Sequence, residues 1–263
     1  MTNWRDIDLK AKQWVSEAGE IIRQSFKTTL TISTKSNPND LVTNMDKDIE
    51  TFFIKKINET FPDHKVLGEE GQGDQIDSTE GVIWIIDPID GTMNFVHQQR
   101  NFAISVGVYG DGVGQIGLIY DIVHDELYHA FKGKGAFMND LKLPMLEEVE
   151  LSEAVIGLNA TWVMENHRID HKLLTPLVKA VRGTRSYGSA ALEFAYVASG
   201  RIDAYLTMRL SPWDFAAGLV ILDEVGAGTS TVEGESIHIL SPSSVLVGRK
   251  NIHTKILKNY LNV

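Results

Sequence analysis

The chain contains no cysteine in 263 residues, which excludes a disulfide framework, a zinc–thiolate site and a thiol nucleophile. Its chemistry must rest on carboxylates, hydroxyls or histidines. Long hydrophobic runs are also missing. No apolar stretch approaches membrane-spanning length, and Met1 to Lys10 is polar and acidic, so neither membrane insertion nor secretion is expected. The expectation is a cytoplasmic protein without a membrane partner. Positive charge is scarce. A formal net charge of -10 argues against broad nucleic-acid binding, because phosphate backbones are held mainly by Lys and Arg. It also makes an anionic substrate unwelcome without metal. The seven prolines are scattered, and no low-complexity linker or solenoid repeat divides the chain.

What is present is an ordinary globular composition, 43% hydrophobic and 23% charged, in a chain long enough for one sizeable α/β domain or two intimately packed halves. Trp4, Ile7, Ala11, Trp14, Val15, Ala18, Ile21 and Ile22 recur at three and four residues, the stripe of an amphipathic helix ending near Phe26. Lys35 to Asp40 is turn chemistry. Thr43 with Asp46 three residues later forms a capping box that opens a second helix, which Pro62 stops. Short β-rich runs follow at Val66–Leu67, Val82–Ile86, Phe102–Tyr109, Ile116–Ile119 and Leu127–Phe131. The second half alternates: a strand at Val155–Leu158, helices near His171–Val181 and Ser189–Ser199, a strand at Ile202–Met208, and helices at Pro212–Val225 and Ile252–Tyr260. Mixed layered sheets sandwiched by helices fit this order, an α/β (α+β) architecture. The halves are placed at 1–145 and 146–263, forming one compact unit.

The densest chemistry lies in Trp84-Ile85-Ile86-Asp87-Pro88-Ile89-Asp90-Gly91-Thr92. Gly68-Glu69-Glu70 precedes it and Pro212-Trp213-Asp214 answers it downstream. In a straight strand, residues at i and i+3 point to opposite faces, but Pro88 is expected to break the ladder after Asp87 and let Asp87 and Asp90 converge. The same turn would free the Ile89 carbonyl as a further hard oxygen ligand. Gly91 permits close backbone approach, and Thr92 to Phe95 could begin a helix whose first amides face a phosphate. If Glu69, Glu70 and Asp214 join this pair, carboxylates about 5 Å apart repel by roughly 3 kcal/mol each at an effective dielectric near 20. Such a cluster needs cations, and two divalent ions suit activation of water for in-line displacement at phosphorus.

Each piece also has an ordinary reading. Asp-Pro and Asp-Gly are turn dipeptides, Glu69-Glu70 could be a solvated loop, and Ser211, Pro212 and Asp214 make an N-cap, N1 proline and N3 acid. Ser189 would cap a helix. His97, His124 and His129 lack metal-ligand spacing and are read as structural. The Trp4 and Trp14 stripe is read as core or interface, and Arg182 and Arg185 as solvated.

The ordered motifs, with Pro212-Trp-Asp-Phe-Ala-Ala-Gly at the end, resemble the inositol monophosphatase family of Mg2+-dependent, lithium-sensitive phosphatases. The likeness covers nearly the whole chain and suggests a bacterial member. Lys35 to Asp46 is similar to the family's mobile catalytic loop and the helix after it. The resemblance implies an αβαβα layered sandwich, often a homodimer, with two to three Mg2+ ions per site. Glu69, Asp87 and the Ile89 carbonyl would hold the first ion, and Asp87, Asp90 and Asp214 the second. A weaker third would sit near Glu69. Thr92 and Asp46 would orient and deprotonate the attacking water, with Glu70 in support and no covalent phosphoenzyme. Asp90, Gly91, Thr92 and Asp214 would also face the substrate, and Gly188, Ser189 and Ala190 match the segment that contacts its alcohol part.

One position departs from the pattern. Inositol-preferring members carry an acid where this chain has Thr207, seven residues before Asp214, which weakens strict inositol selectivity. The expected substrate is a small phosphorylated metabolite, foremost inositol monophosphate. Adenosine 3',5'-bisphosphate, fructose 1,6-bisphosphate and the 2'-phosphate of NADP are the family's alternatives. A haloacid-dehalogenase-type enzyme would separate its aspartates by one residue rather than two. A non-catalytic interaction protein would have no need of a complete ligand set.

Overall fold

The computed structural model describes residues 2–27, 31–34 and 41–261. The first half contains α1 (Trp4–Ser25), β1 (Ile32–Thr34), β2 (Leu41–Thr43), α2 (Asn44–Thr60), β3 (Lys65–Gly68), β4 (Val82–Asp90) and α3 (Thr92–Gln98). Then come β5 (Ala103–Gly110), β6 (Val113–Asp121), β7 (Glu126–Phe131), β8 (Ala136–Met138) and β9 (Leu141–Lys142). The second half contains β10 (Val155–Leu158), α4 (His171–Ala180), β11 (Gly183–Arg185), α5 (Ala190–Ala198), β12 (Ala204–Leu210) and α6 (Pro212–Glu224). It closes with β13 (Gly228–Ser230), β14 (Ser243–Gly248) and α7 (Lys250–Ile256), which runs into a π turn.

Strands β3 to β9 form a seven-stranded sheet in sequence order, antiparallel except for β3 beside β4. A five-stranded mixed sheet has the order β11-β10-β12-β14-β13. Side-chain alternation explains the layering. Trp84, Ile86, Val106, Val108 and Leu118 face α1 and α2, whose Ile7, Ala11, Trp14, Ile49, Phe53 and Ile57 complete one core. Ile83, Ile85 and Ile119 face the other way, onto α5 and α6, and these helices rest in turn against Tyr205, Val245 and Val247 of the smaller sheet. Ala204, Leu206 and Leu246 meet Leu174 and Leu177 of α4 and Ile252 of α7 in a third core. The order is therefore helix, sheet, helix, sheet, helix, the expected αβαβα sandwich.

The α1 stripe and the Thr43 cap form as read. Asp46 accepts the Thr43 amide at 2.7 Å and the Thr43 hydroxyl at 2.6 Å, and the Met45 amide donates to Thr43 Oγ1 at 3.1 Å. The ladder breaks after Asp87 as expected, but the chain does not turn away at Pro88, because β4 continues to Asp90. Its pairing with β5 slips between Asp87, opposite Ser105, and Asp90, opposite Ala103. Pro88 lacks an N–H, and a bulge accommodates that defect without ending the strand. The extra residue gives Asp87 and Asp90 the same outlook.

Candidate active site

The bulge of β4, the turn after β3 and the start of α6 bring the acids together. One carboxylate oxygen each from Asp87, Asp90 and Asp214 lies within 4.8 Å of the others. Asp87 and Asp90 are 2% and 7% exposed. Burial pushes the Asp87 carboxyl up well above the usual range, and the charges of Glu69, Asp90 and Asp214 push the same way. Burial raises Asp90 to about 6, with Ser189 and the Ala191 amide pulling against it. Asp214 is raised by burial and by the Asp90 charge. Glu69 follows β3, its amide donating to the Ile86 carbonyl at 3.3 Å, and it acts on Asp87 by hydrogen bond and charge. Three mutually repelling carboxyl groups, those of Asp87 and Asp90 buried and that of Asp214 half-buried, offer only hard oxygens and suit one or more Mg2+ ions, whereas a site for a soft metal would need sulfur or imidazole.

Around this floor the other expected residues fall into two groups. The Thr92 hydroxyl lies 3.1 Å from Asp46 Oδ1 and 3.1 Å from the Ile89 carbonyl, and the Ile89 amide donates to Asp87 Oδ1 at 3.0 Å. Asp46 is fully buried; burial raises its pKa, against its hydrogen bonds from Thr43. Gly91 stands at φ 94 between β4 and α3, a conformation open to glycine, and a Cβ there would meet the Gly188 carbonyl oxygen and Ser189 Cβ at 3.2 Å. On that side the Ser189 hydroxyl and the Ala191 amide, the latter at 2.8 Å, donate to Asp90 Oδ2. Gly188 is exposed, Ala190 opens α5, and Thr207 is buried on β12. Glu70 is half-buried beside Glu69. Asp214 is also a capping residue, accepting the Ser211 amide at 2.7 Å at the start of α6.

The supporting groups that sequence reasoning missed are Glu50, Asn94 and Glu193. Glu50 of α2 is fully buried and accepts the amides of Glu70 at 2.7 Å and Gln72 at 2.8 Å, so it shapes the turn that carries Glu69. Its signal was an acid four residues after Asp46, inside the stripe that buries Ile49, Phe53 and Ile57. Asn94 donates to the Asn101 and Tyr187 carbonyls at 2.8 and 2.7 Å, tying α3 to the turn before α5. His97 is exposed, His124 pairs with Asp121 at 2.9 Å, and His129 stacks on Phe137. Arg182 and Arg185 are exposed, and Lys35 to Asp40 lie outside the described residues.

Against known proteins, the model of the inositol monophosphatase family matches residues 3–262. The chain belongs to the inositol monophosphatase family. It is 65% identical over 262 residues to the inositol-1-monophosphatase of Bacillus subtilis, covering 100% of this chain and 99% of that protein. Among solved structures, the staphylococcal SaIMPase-II with inositol monophosphate bound superposes with a TM-score of 0.87 at 44% identity, over 96% of this chain and 92% of that one. An IMPase/NADP phosphatase complexed with Mg2+ and phosphate gives 0.90 at 30% identity, over 98% and 95%.

Proposed function

We propose that this protein is a Mg2+-dependent phosphatase that hydrolyses a small phosphate monoester, foremost inositol monophosphate to inositol and phosphate, by direct attack of water. The carrying observation is the convergence of Asp87, Asp90 and Asp214 within 4.8 Å in a chain of this family. Glu69, Asp87 and the Ile89 carbonyl would hold one ion, and Asp87, Asp90 and Asp214 another, with a third near Glu69. When bound, the ions supply Lewis acidity toward water and offset charge on the leaving oxygen.

The chain's own residues do the rest. A threonine hydroxyl has one proton and two lone pairs. With its proton given to Asp46, Thr92 can accept a hydrogen bond from a water and so fix that water's direction. The raised Asp46 carboxyl can take up a proton through the Thr92 hydroxyl. Gly91 and Thr92 open α3, whose first amides have no intrahelical acceptor and suit phosphate oxygens. Glu70 supports Glu69 by its place in the same turn. Gly188, Ser189, Ala190 and Thr207 border the alcohol side. In this reading the halves 1–145 and 146–263 act as one unit, because Asp214 of the second completes the carboxylate set of the first.

Lithium inhibition, a cytoplasmic homodimer and a small phosphorylated metabolite as substrate, with no nucleic-acid or membrane partner, belong to the same reading, supported by the whole-chain likeness. No helix among the described residues is long and apolar enough to cross a membrane. Thr207 favours a broader range that takes in the 2'-phosphate of NADP, fructose 1,6-bisphosphate and adenosine 3',5'-bisphosphate. The test is phosphate release from these three and from inositol 1-phosphate, with Mg2+ and with EDTA. Metal-dependent release from inositol 1-phosphate is expected. No release from any of the four would end the phosphatase reading and favour a non-catalytic role.

A further inference from the structure

Glu193 is the charged residue of α5, a helix otherwise made of Ala, Leu, Phe, Tyr and Val. It is 3% exposed. Its Oε1 reaches back past the Ser189 cap and accepts the Tyr187 amide at 2.9 Å, while Oε2 is buried with no hydrogen-bond partner. A Cβ at position 157 of β10 would collide with Oε2, so Gly157 leaves the room that the carboxyl occupies, with the Tyr205 ring beside it. A solvated or merely amphipathic role does not account for an acid placed so deep. Burial pushes its pKa up to about 7, and the Asp90 charge adds to the rise.

The turn that Glu193 grips is the one that meets the catalytic floor. The Tyr187 carbonyl accepts Asn94 Nδ2 at 2.7 Å, Gly188 adopts φ +77, and the Ser189 hydroxyl donates to Asp90. The Tyr187 ring packs edge-on against Tyr196 of the same helix, centroids 4.8 Å apart. The turn is thus pinned from two sides, by Asn94 of α3 through its carbonyl and by Glu193 of α5 through its amide. We propose that Glu193 is a positioning residue for the alcohol half of the substrate, holding the Tyr187–Ser189 turn in place over Gly91 and Asp90. This rests on the phosphatase reading, because it assigns the turn to the leaving-group side of that reaction. The phosphate half touches a different set of groups, so loosening the turn separates the two halves of binding.

The experiment uses the full chain and two variants of near-equal volume. Glu193→Gln keeps an oxygen acceptor for the Tyr187 amide, whereas Glu193→Leu removes it. Loss of binding shared by ground and transition states raises KM and leaves kcat alone, so Glu193→Leu should raise KM for inositol 1-phosphate by about 10-fold with kcat little changed. Inhibition by inorganic phosphate should be unaltered, and Glu193→Gln should restore KM to near the wild-type value. Amide hydrogen exchange of residues 187–189, read without substrate, should quicken in Glu193→Leu and not in Glu193→Gln. A KM unchanged in Glu193→Leu overturns the proposal. So does an equal weakening of phosphate inhibition, or a Gln variant as impaired as the Leu variant. A wild type that releases no phosphate would count against the phosphatase reading, and the exchange rates would still decide whether Glu193 holds the turn.

Discussion

Two buried glutamates, one in each half, hold the two turns that meet at the acids. Glu50 accepts two backbone amides, one on each carboxylate oxygen, and lies against Gly68. Glu193 accepts one amide, leaves its second oxygen without a partner, and lies against Gly157. Both acids come from a helix and both face a glycine that makes room for them. In the proposed reading, the metal-side turn uses both oxygens of its glutamate, and the alcohol-side turn uses one oxygen of its glutamate beside the bonds from Asn94 and to Asp90. A glutamate that uses both oxygens leaves its turn little freedom at that point, and one that uses a single oxygen leaves its turn more. On that reading, the chemistry common to such phosphatases goes with the tighter side and substrate variation with the looser.

Asp90 is where the two sides join, since it belongs to the acidic floor and takes hydrogen bonds from Ser189 and Ala191. Asp90→Asn keeps an acceptor for those donors and removes the charge. Activity is expected to fall by at least about 10²–10³-fold, on the scale of losing one preorganised electrostatic group, with the far-UV circular dichroism unchanged. Near-normal turnover would remove Asp90 from the metal set. The next effect is on stability. Glu50→Leu leaves the amides of Glu70 and Gln72, in a part-buried turn, without their acceptor, each loss approaching the cost of an unpaired buried group, about 1–3 kcal/mol, and should also raise the Mg2+ concentration needed for activity as the Glu69 turn loosens. Glu193→Leu strands one amide and removes an orphan oxygen, so its urea midpoint should fall less. If the Glu193 variant proves the weaker of the two, the contrast between the sides is reversed.

Much of this was legible in the chain. The α1 stripe, the Thr43–Asp46 capping box and the acids of β4 and α6 were readable because each has a local signal, a helical period, a three-residue spacing or a turn dipeptide. β8, β9, β11 and β13 escaped because they are two or three residues long, and β9 is exposed throughout. β14 lacked a clear alternation at its polar start, Ser243-Ser244. The proline rule, being local, indicates the break in pairing at Pro88, but not that the neighbouring β5 keeps the strand paired beyond the bulge. Glu50 and Glu193 were invisible as supports since their partners lie in turns whose position only the fold determines.

The acidic floor also predicts a pH signature of its own. Asp87, Asp90 and Asp214 hold protons in the folded protein that the unfolded chain has released above about pH 4, where an ordinary aspartate titrates. Folded protein then binds more protons than unfolded, so stability falls as pH rises from about 4 through 6 and beyond. In EDTA the melting temperature should decline across that window. Mg2+ should flatten the slope and raise stability by up to about 2.7 kcal/mol at a hundredfold excess over its dissociation constant. A slope unaffected by Mg2+ would detach the acids from metal binding.

The smallest effect tests the looser side directly. Thr207 is 5% exposed on β12, two residues from Tyr205, whose ring lies beside Glu193. Thr207→Glu would place an acceptor for ring hydroxyls at the alcohol border, where the wild type offers only a hydroxyl. A hydrogen bond to a charged group contributes about 1.5–3 kcal/mol, but the new carboxylate must also be desolvated near Asp90 and Asp214, which offsets part of it. A few-fold gain in kcat/KM for inositol 1-phosphate relative to fructose 1,6-bisphosphate is therefore expected, with Mg2+ dependence unchanged. Equal changes for both substrates would mean that position 207 does not read the alcohol. A shift in Mg2+ requirement would mean that the added charge acts on the floor, and the two sides are not separable.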